Sequence, residues 1–339
     1  EYFIEDLNLE NLQVDLFIPF KEIALIKNGV LFFLNGSKDA VAPINAPRLE
    51  KQSEGHITAS MSLLISSTKD LHLCDESSAE IYFQLPDSLK NSCSDFIKLF
   101  VNNRRLIPWF PSVLIGEDYS AAVEFLQQVR PARIVTNNTG IAYVAHEKGI
   151  SWIAGPYMNL VNSFSLLCLK KSFNCYGAFI SNEINRNQIK RLKKPGSFKL
   201  FYSIYHPIVL MTSRVCMHHQ VTGCKKNIVD DTCIQKCKKS SSITNLKDVS
   251  FFIDKERGGY HCVYNEFNFL NTDIVSDAPD LFSSYFVDLR DIKTSTKLEV
   301  DKSEIVKLFE NHINGEVGSE KMLMQSIYPS TSTQYKKGI

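Results

Sequence analysis

The chain has 339 residues, 44% of them hydrophobic and 22% charged, with a formal net charge of +1. That length suits one large domain with an appendage or two medium ones, and the composition is globular rather than disordered or fibrous. No apolar run reaches the roughly 18 to 20 residues of a membrane-spanning helix, so a membrane partner is not expected.

Residues 1–55 read as a lead-in segment that packs on the following domain or links it to another. Residues 1–10 are acidic and lack the basic start and apolar run of a secretory signal. With no initiator Met, the chain reads as the C-terminal part of a longer polypeptide. Nine cysteines without a secretory signal point to reduced thiols and a cytoplasmic location.

From residue 56 onward, short β-rich runs alternate with helical patterns. The runs are 61–67 (MSLLISS), 81–85 (IYFQL), 111–116 (PSVLIG), 133–137 (RIVTN), 152–156 (WIAGP), 177–181 (GAFIS), 199–210 (KLFYSIYHPIVL) and 285–288 (YFVD). Helical spacing follows most of them, over residues up to 100, then 119–129, 140–148, 162–171, 185–192 and 301–314. Eight such strands predict an α/β fold, a (β/α)8 TIM-type barrel spanning about 250 residues. An open doubly wound sheet is the alternative. The loop between the last two strands, residues 211–275, is too long for a plain connection and reads as a functional, cysteine-rich insertion. The polar tail 330–339 (STSTQYKKGI) is expected to end on the surface.

Cys74, Cys93, Cys168 and Cys175 are scattered and expected to be small buried hydrophobes. The other five cysteines, Cys216, Cys224, Cys233, Cys237 and Cys262, fall within 47 residues of a Lys-rich loop. Thiolates are soft ligands for zinc or an iron–sulfur cluster, and His218, His219 and His261 are further donors. The paired C-x2-C spacing of zinc ribbons is absent, and spacing alone does not choose the metal. Between residues 186 and 239 there are twelve Lys and Arg against Asp230 and Asp231, a local net of +10 that leaves about −9 for the remainder. Such a patch is either a solvated helix end or a seat for a phosphate-rich partner such as RNA. Lys190, Arg191, Lys193 and Lys194 are its candidate contacts.

Barrel chemistry sits at the C-terminal ends of strands. Those ends carry Asn137, Asn138, Asn159, Asn162, Ser181, Glu183, His206, Asp288 and Arg290. Amides hold polar ligands without moving protons, which leaves Glu183, His206 and Asp288 as proton carriers and Arg290 as a bidentate clamp. Asn162 and Glu183 also suit helix caps. No G-x-S-x-G, HExxH or local Cys-His signature of a peptidase is present.

The run Gly155-Pro156-Tyr157-Met158-Asn159-Leu160-Val161-Asn162-Ser163 resembles a fifth-strand motif of the U-thirty-two collagenase-like peptidase family. Further steps resemble the family in order: Ser181-Asn182-Glu183-Ile184, Ser213-Arg214-Val215-Cys216, Asp231-Thr232-Cys233-Ile234-Gln235-Lys236-Cys237, Cys262, and Asp288-Leu289-Arg290. The likeness covers roughly residues 110–339. It departs from the pattern at Arg214, where Gly is expected, and at Asp288-Leu289, where Glu-Gly is expected. It implies a TIM-type barrel, and in hydroxylation-type members a [4Fe-4S] cluster, here on Cys216, Cys233, Cys237 and Cys262 with Cys224 as alternate; zinc is the alternative metal. The implied activity is hydroxylation of ribosomal or transfer RNA, with RNA or a ribosomal precursor as partner and a small-molecule co-substrate. A collagenase-like protease, a hydrolase with structural metal-bound cysteines, is one alternative. A non-catalytic RNA-binding barrel supporting an N-terminal half is the other.

Overall fold

A computed structural model of the chain describes residues 5, 6, 8, 10, 11, 17–37, 49, 58–226, 233, 237, 241–256 and 259–338. Thirteen strands position the site. They are β1 (Ser60–Ile65), β2 (Glu80–Gln84), β3 (Leu106–Phe110), β4 (Arg133–Thr136), β5 (Ser151–Ala154), β6 (Gly177–Phe179), β7 (Lys199–His206), β8 (Val209–Ser213), β9 (Ser241–Thr244), β10 (Ser250–Glu256), β11 (Tyr260–Tyr264), β12 (Asn268–Leu270) and β13 (Ser284–Asp288).

β1 to β7 run parallel in sequential order, and β13 closes the ring by pairing in parallel with both β7 and β1. The expected eight-stranded (β/α) barrel is therefore the fold. Its strands read as apolar runs because both faces are buried. Alternation sends Leu63, Ile65, Ile81 and Phe83 outward under the helices. The inward set takes one residue from each strand: Leu64, Tyr82, Trp109, Val135, Ile153, Phe179, Phe201 and Phe286. This layer fills the barrel as a packed core rather than a pore.

Side-chain caps start several of the helices. Asn138 Oδ1 accepts from Ile141 N at 3.1 Å ahead of Thr139–Glu147, and Asp301 Oδ1 from Glu304 N at 2.8 Å ahead of Lys302–Ile313. Asn185 and Gln188 form a capping box at Arg186–Lys190.

Three sequence expectations are corrected. The third strand is β3 rather than 111–116; Pro108 lies inside it, and a residue that cannot donate to a ladder argues against a strand. The run 199–210 breaks after His206 into β7 and β8, because Pro207 cannot continue the ladder. The tail does not simply end on the surface. Ser330 and Thr331 pair with β12, and Tyr335, in the helix Thr333–Lys337, is 2% exposed.

The insertion after β7 carries its own antiparallel sheet in the order β8-β11-β10-β9. Its Tyr260, Cys262 and Tyr264 share one face and pack against Val113, Val209 and Ile292 at the barrel's C-terminal end. The chain divides into units Glu1–Arg48 and Leu49–Ile339. The expected boundary after residue 55 lies outside the described residues. In the first unit a helix, Phe20–Leu34, buries none of its side chains. No helix among the described residues is long and apolar enough to cross a membrane.

Candidate functional site

The C-terminal ends of the barrel strands surround a cavity of about 410 Å3. Trp109 and Phe286, stacked at 5.2 Å and 14°, form its floor. Its walls include Tyr157, Asn159, Asn182, Glu183, Ser203, His206, Asp288 and Arg290, with Gln334 from the C-terminal segment. A second chamber of about 280 Å3 lies beside it, under the small sheet, and shares Trp109, Tyr157, Val209 and Arg290 with the first. Gln84, Asn137, Thr212, Tyr260, Cys262 and Tyr264 line this second space.

Arg290 is the hinge between the chambers. The turn after β13 folds it back on Asp288: its Nε lies 2.8 and 3.1 Å from the two carboxylate oxygens and its Nη2 2.6 Å from Oδ2. Nη1 donates to Gln84 Oε1 at 2.5 Å. The side chains are only 10% and 3% exposed. Burial opposes the guanidinium charge, but Asp288 more than offsets it and holds Arg290 above its ordinary value. The expected bidentate clamp is thus engaged internally, with Asp288 as its ion-pair partner.

His206 stands at the cavity wall. Burial drives its imidazole down to about 4; Asp288 works against that shift and Arg290 with it. Near neutrality it is therefore uncharged. Its Nε2 lies 3.1 Å from Asn182 Nδ2, and its ring rests on Phe269. With Asn182 donating, the proton sits on Nδ1, which is buried with no hydrogen-bond partner. Glu183 is exposed at the rim of the same cavity and caps nothing; Asn185 is the cap.

The motif at β5 has separate physical reasons for its residues. Asn137 Oδ1 accepts from Tyr157 N at 2.9 Å, and a Cβ on Gly155 would come within 2.2 Å of that oxygen. Glycine is thus what lets Asn137 brace the turn. Asn159 takes the left-handed conformation, φ 52°, that ends the short helix Pro156–Met158. Asn162 caps Ser163–Phe173, accepting from Phe164 N and Ser165 N at 3.0 and 2.9 Å, and faces a different hollow. Asn137 and Asn159 thus stand at the mouth, and Asn162 does not.

The basic candidates divide likewise. Lys190 approaches Asp277 at 3.9 Å, where Arg186 also pairs. Lys193 Nζ donates to Leu49 O at 2.9 Å. Arg191 and Lys193 line a shallow hollow with Asn162, Gln188 and the half-exposed Phe164. Lys194 does not line it.

The cysteine set has the soft donors that a cluster or zinc requires. Cys216, at the start of the helix Met217–Val221, is half-buried, as are Cys224, Cys233 and Cys237. Cys262 is buried on β11, its Sγ 3.7 Å from Thr212 Oγ1, and lines the second chamber. Residues 227–232, 234–236 and 238–240 lie outside the described part. Among the described residues no three His, Cys, Asp or Glu side chains converge to hold a metal. His218 and His261 are buried together with rings 5.1 Å apart, and His218 Nδ1 lies 2.8 Å from Ser241 Oγ. Of the scattered cysteines, Cys175 is buried and its thiol is pushed up to about 12 by burial. Cys168, contrary to expectation, is exposed.

Sequence reading missed Trp109, Gln84, Ser203, Asn182, Tyr157 and Gln334 as lining residues. Ser203 carried a faint signal, a polar residue inside an apolar strand, whereas Trp109 was hidden in the displaced third strand. No curated protein matches the chain. A family model, peptidase family U32, matches residues 116–338. That match takes in the motif at β5, the cysteine insertion, the Asp288–Arg290 turn and Gln334, and on it the chain belongs to peptidase family U32.

Proposed function

We propose that this chain acts in the hydroxylation of RNA, taking an unpaired base into the barrel mouth. The observation that carries the reading is the cavity itself: a stacked aromatic floor beneath a wall in which Asn182, Ser203, His206 and Gln334 offer neutral hydrogen-bonding groups beside the Asp288–Arg290 pair and Glu183. A flat polar ring fits that chemistry, through stacking and through donors and acceptors on its edge. The shallow hollow with Arg191, Lys193 and exposed Phe164 combines cationic and aromatic groups, as single-strand binders do. Replacing a ring C–H by C–OH with water as oxygen source releases two protons and two electrons. An electron-accepting or oxygen-donating co-substrate must therefore share the site, and the second chamber behind Arg290 has room for a small one. His206, neutral and beside the cavity, carries its proton on Nδ1 and is placed to donate a hydrogen bond to the bound ring.

The peptidase reading has less support in the cavity. Asp288 is held by Arg290, Cys262 and His206 line different chambers, and Ser203, which shares the chamber with His206, makes no hydrogen bond to it.

The test is RNA retention by the full chain across a salt series, with the doubly substituted Arg191→Glu/Lys193→Glu protein as control, followed by mass analysis of nucleosides from cells lacking the protein. Salt-sensitive retention, weakened by the substitutions, with loss of one hydroxylated nucleoside supports the reading. No retention at low salt and no lost modification would sink it.

A further inference from the structure

The C-terminal segment returns to the barrel mouth and is pinned there. Ser330 and Thr331 pair in parallel with Asn268 and Phe269 of β12, which itself pairs with β7. The helix Thr333–Lys337 then lays Tyr335 against Tyr202, ring centroids 6.4 Å apart, with its hydroxyl donating to Asp277 Oδ2 at 2.5 Å. Arg186 pairs with the same carboxylate, so Asp277 ties the segment to the helix Arg186–Lys190. With Tyr335 fixed, its neighbour Gln334 reaches the first chamber.

Gln334 arrives there without a partner. Its Oε1 is buried and accepts no hydrogen bond, and the same is true of Asn182 Oδ1, while Ser203 Oγ and His206 Nδ1 are buried and equally unpartnered. All four residues line this one cavity, although they come from the loop after β6, from β7 and from the far C-terminus. Ser203 is 1% exposed. An orphaned buried polar group costs about 1–3 kcal/mol, and native proteins leave few of them. Four around one cavity is the pattern of a binding site whose hydrogen bonds are completed by what it binds.

We propose that Gln334 is a ligand-contacting, specificity-determining residue, and that the C-terminal segment is the wall that completes the site. Gln334 and Asn182 present two amides to one ligand. An amide offers a donor and an acceptor side by side, the complement of the donor–acceptor edge of a flat nitrogen heterocycle. His206 Nδ1 and Ser203 serve the ring's remaining polar atoms. The ligand class rests on the RNA reading above; the contact by Gln334 does not.

Trp109 provides the readout, because it lies on the cavity floor, whereas Trp152, the other tryptophan, is buried with its Nε1 bonded to Phe173 O. The full chain is titrated with uridine, cytidine, adenosine and guanosine, and with a mixed-sequence single-stranded RNA, following tryptophan fluorescence. The same is done for Gln334→Ala and Gln334→Glu, with thermal melts as a fold control. At least one nucleoside is expected to quench the wild type, with its Kd raised about tenfold or more in Gln334→Ala at unchanged melting temperature. Gln334→Glu, an acceptor-only group, is expected to change the order of preference among the four nucleosides. Quenching by a nucleoside that is equally tight in Gln334→Ala overturns the inference. RNA retained on the basic hollow with no quenching by RNA or nucleoside also overturns it, and leaves the RNA reading standing. Nucleoside binding that depends on Gln334, without any retention of RNA, overturns the RNA reading and keeps the inference.

Discussion

Replacing Arg290 by Met removes the cation from a carboxylate that has almost no access to water. Asp288 is 3% exposed, and in the native chain it takes three contacts from the guanidinium, at 2.6, 2.8 and 3.1 Å, plus the Arg290 backbone N–H at 3.1 Å. In Arg290→Met only the backbone contact survives, and the carboxylate must stay buried, take up a proton or move the turn. Breaking a buried pair from one side costs about 3–5 kcal/mol, because the uncompensated charge remains. The reverse variant, Asp288→Asn, strands the guanidinium and is expected to cost a similar amount. The double variant Asp288→Asn/Arg290→Met strands neither charge, so its loss should fall short of the sum by about 2 kcal/mol or more. Urea unfolding of the four proteins at pH 7, compared at equal m-values, gives the cycle directly. A loss below about 1 kcal/mol in Arg290→Met, or additive losses, would mean the pair is solvated like a surface bridge rather than buried.

Three further outcomes follow from the same geometry. Because the folded His206 titrates at about 4 rather than 6.5, the unfolded chain binds the extra proton between those values. Stability contributed there is therefore present above pH 6.5 and lost as pH falls through 4, by up to about 3 kcal/mol, and His206→Gln should flatten that part of the profile. Asn162→Ala removes two cap contacts and should cost about 1 kcal/mol in urea unfolding while leaving nucleoside quenching of Trp109 unchanged, since Asn162 lies off the mouth. In anaerobically purified protein, any iron or zinc found by elemental analysis should be lost in both Cys233→Ser and Cys262→Ser; metal retained in Cys262→Ser would take Cys262 out of the ligand set.

The barrel was legible because eight apolar runs, each followed by helical spacing or a turn, leave few topologies open, and both faces of each strand had to be buried. Where the reading slipped, a competing local signal was responsible. Pro108 concealed β3 and with it Trp109, although the flanking apolar residues were as strong as elsewhere. The ring of strand-end residues could be drawn up from sequence, but the partner of each could not. Arg290 is two residues from Asp288, a spacing that permits the pair without requiring it; only the turn after β13 folds one onto the other. Asn162 and Asn137 look alike as strand-end amides, yet one points along a helix axis and the other under Gly155. Gln334 sits in a polar tail of ordinary composition, and nothing local marks it. Its role depends on Tyr335 finding Tyr202 more than a hundred residues away in sequence.

The mouth is therefore built from parts that the barrel alone does not supply. The family match begins at residue 116, after the first three strands, yet β13 closes the ring only by pairing with β1. Those three strands contribute Leu64, Tyr82 and Trp109 to the interior layer, and Gln84 to the grip on Arg290. Without them both β4 and β13 would present open edges, and Phe286 would lose its stacking partner. The two covers of the mouth, the small sheet and the C-terminal segment, both attach around β7 and β12, on one side of the ring. That side carries His206 and Ser203, the opposite side Gln84 and Trp109, and Arg290 stands between them. The arrangement divides the mouth into a chamber of orphaned polar groups and a chamber lined by Cys262, Tyr260 and Tyr264. A reaction that brings a ring and a second small molecule together needs two adjoining spaces that hold them in register, whereas peptide hydrolysis needs a cleft and an activated nucleophile. It is this division, more than any one residue, that favours modification of a bound ring over cleavage of a chain.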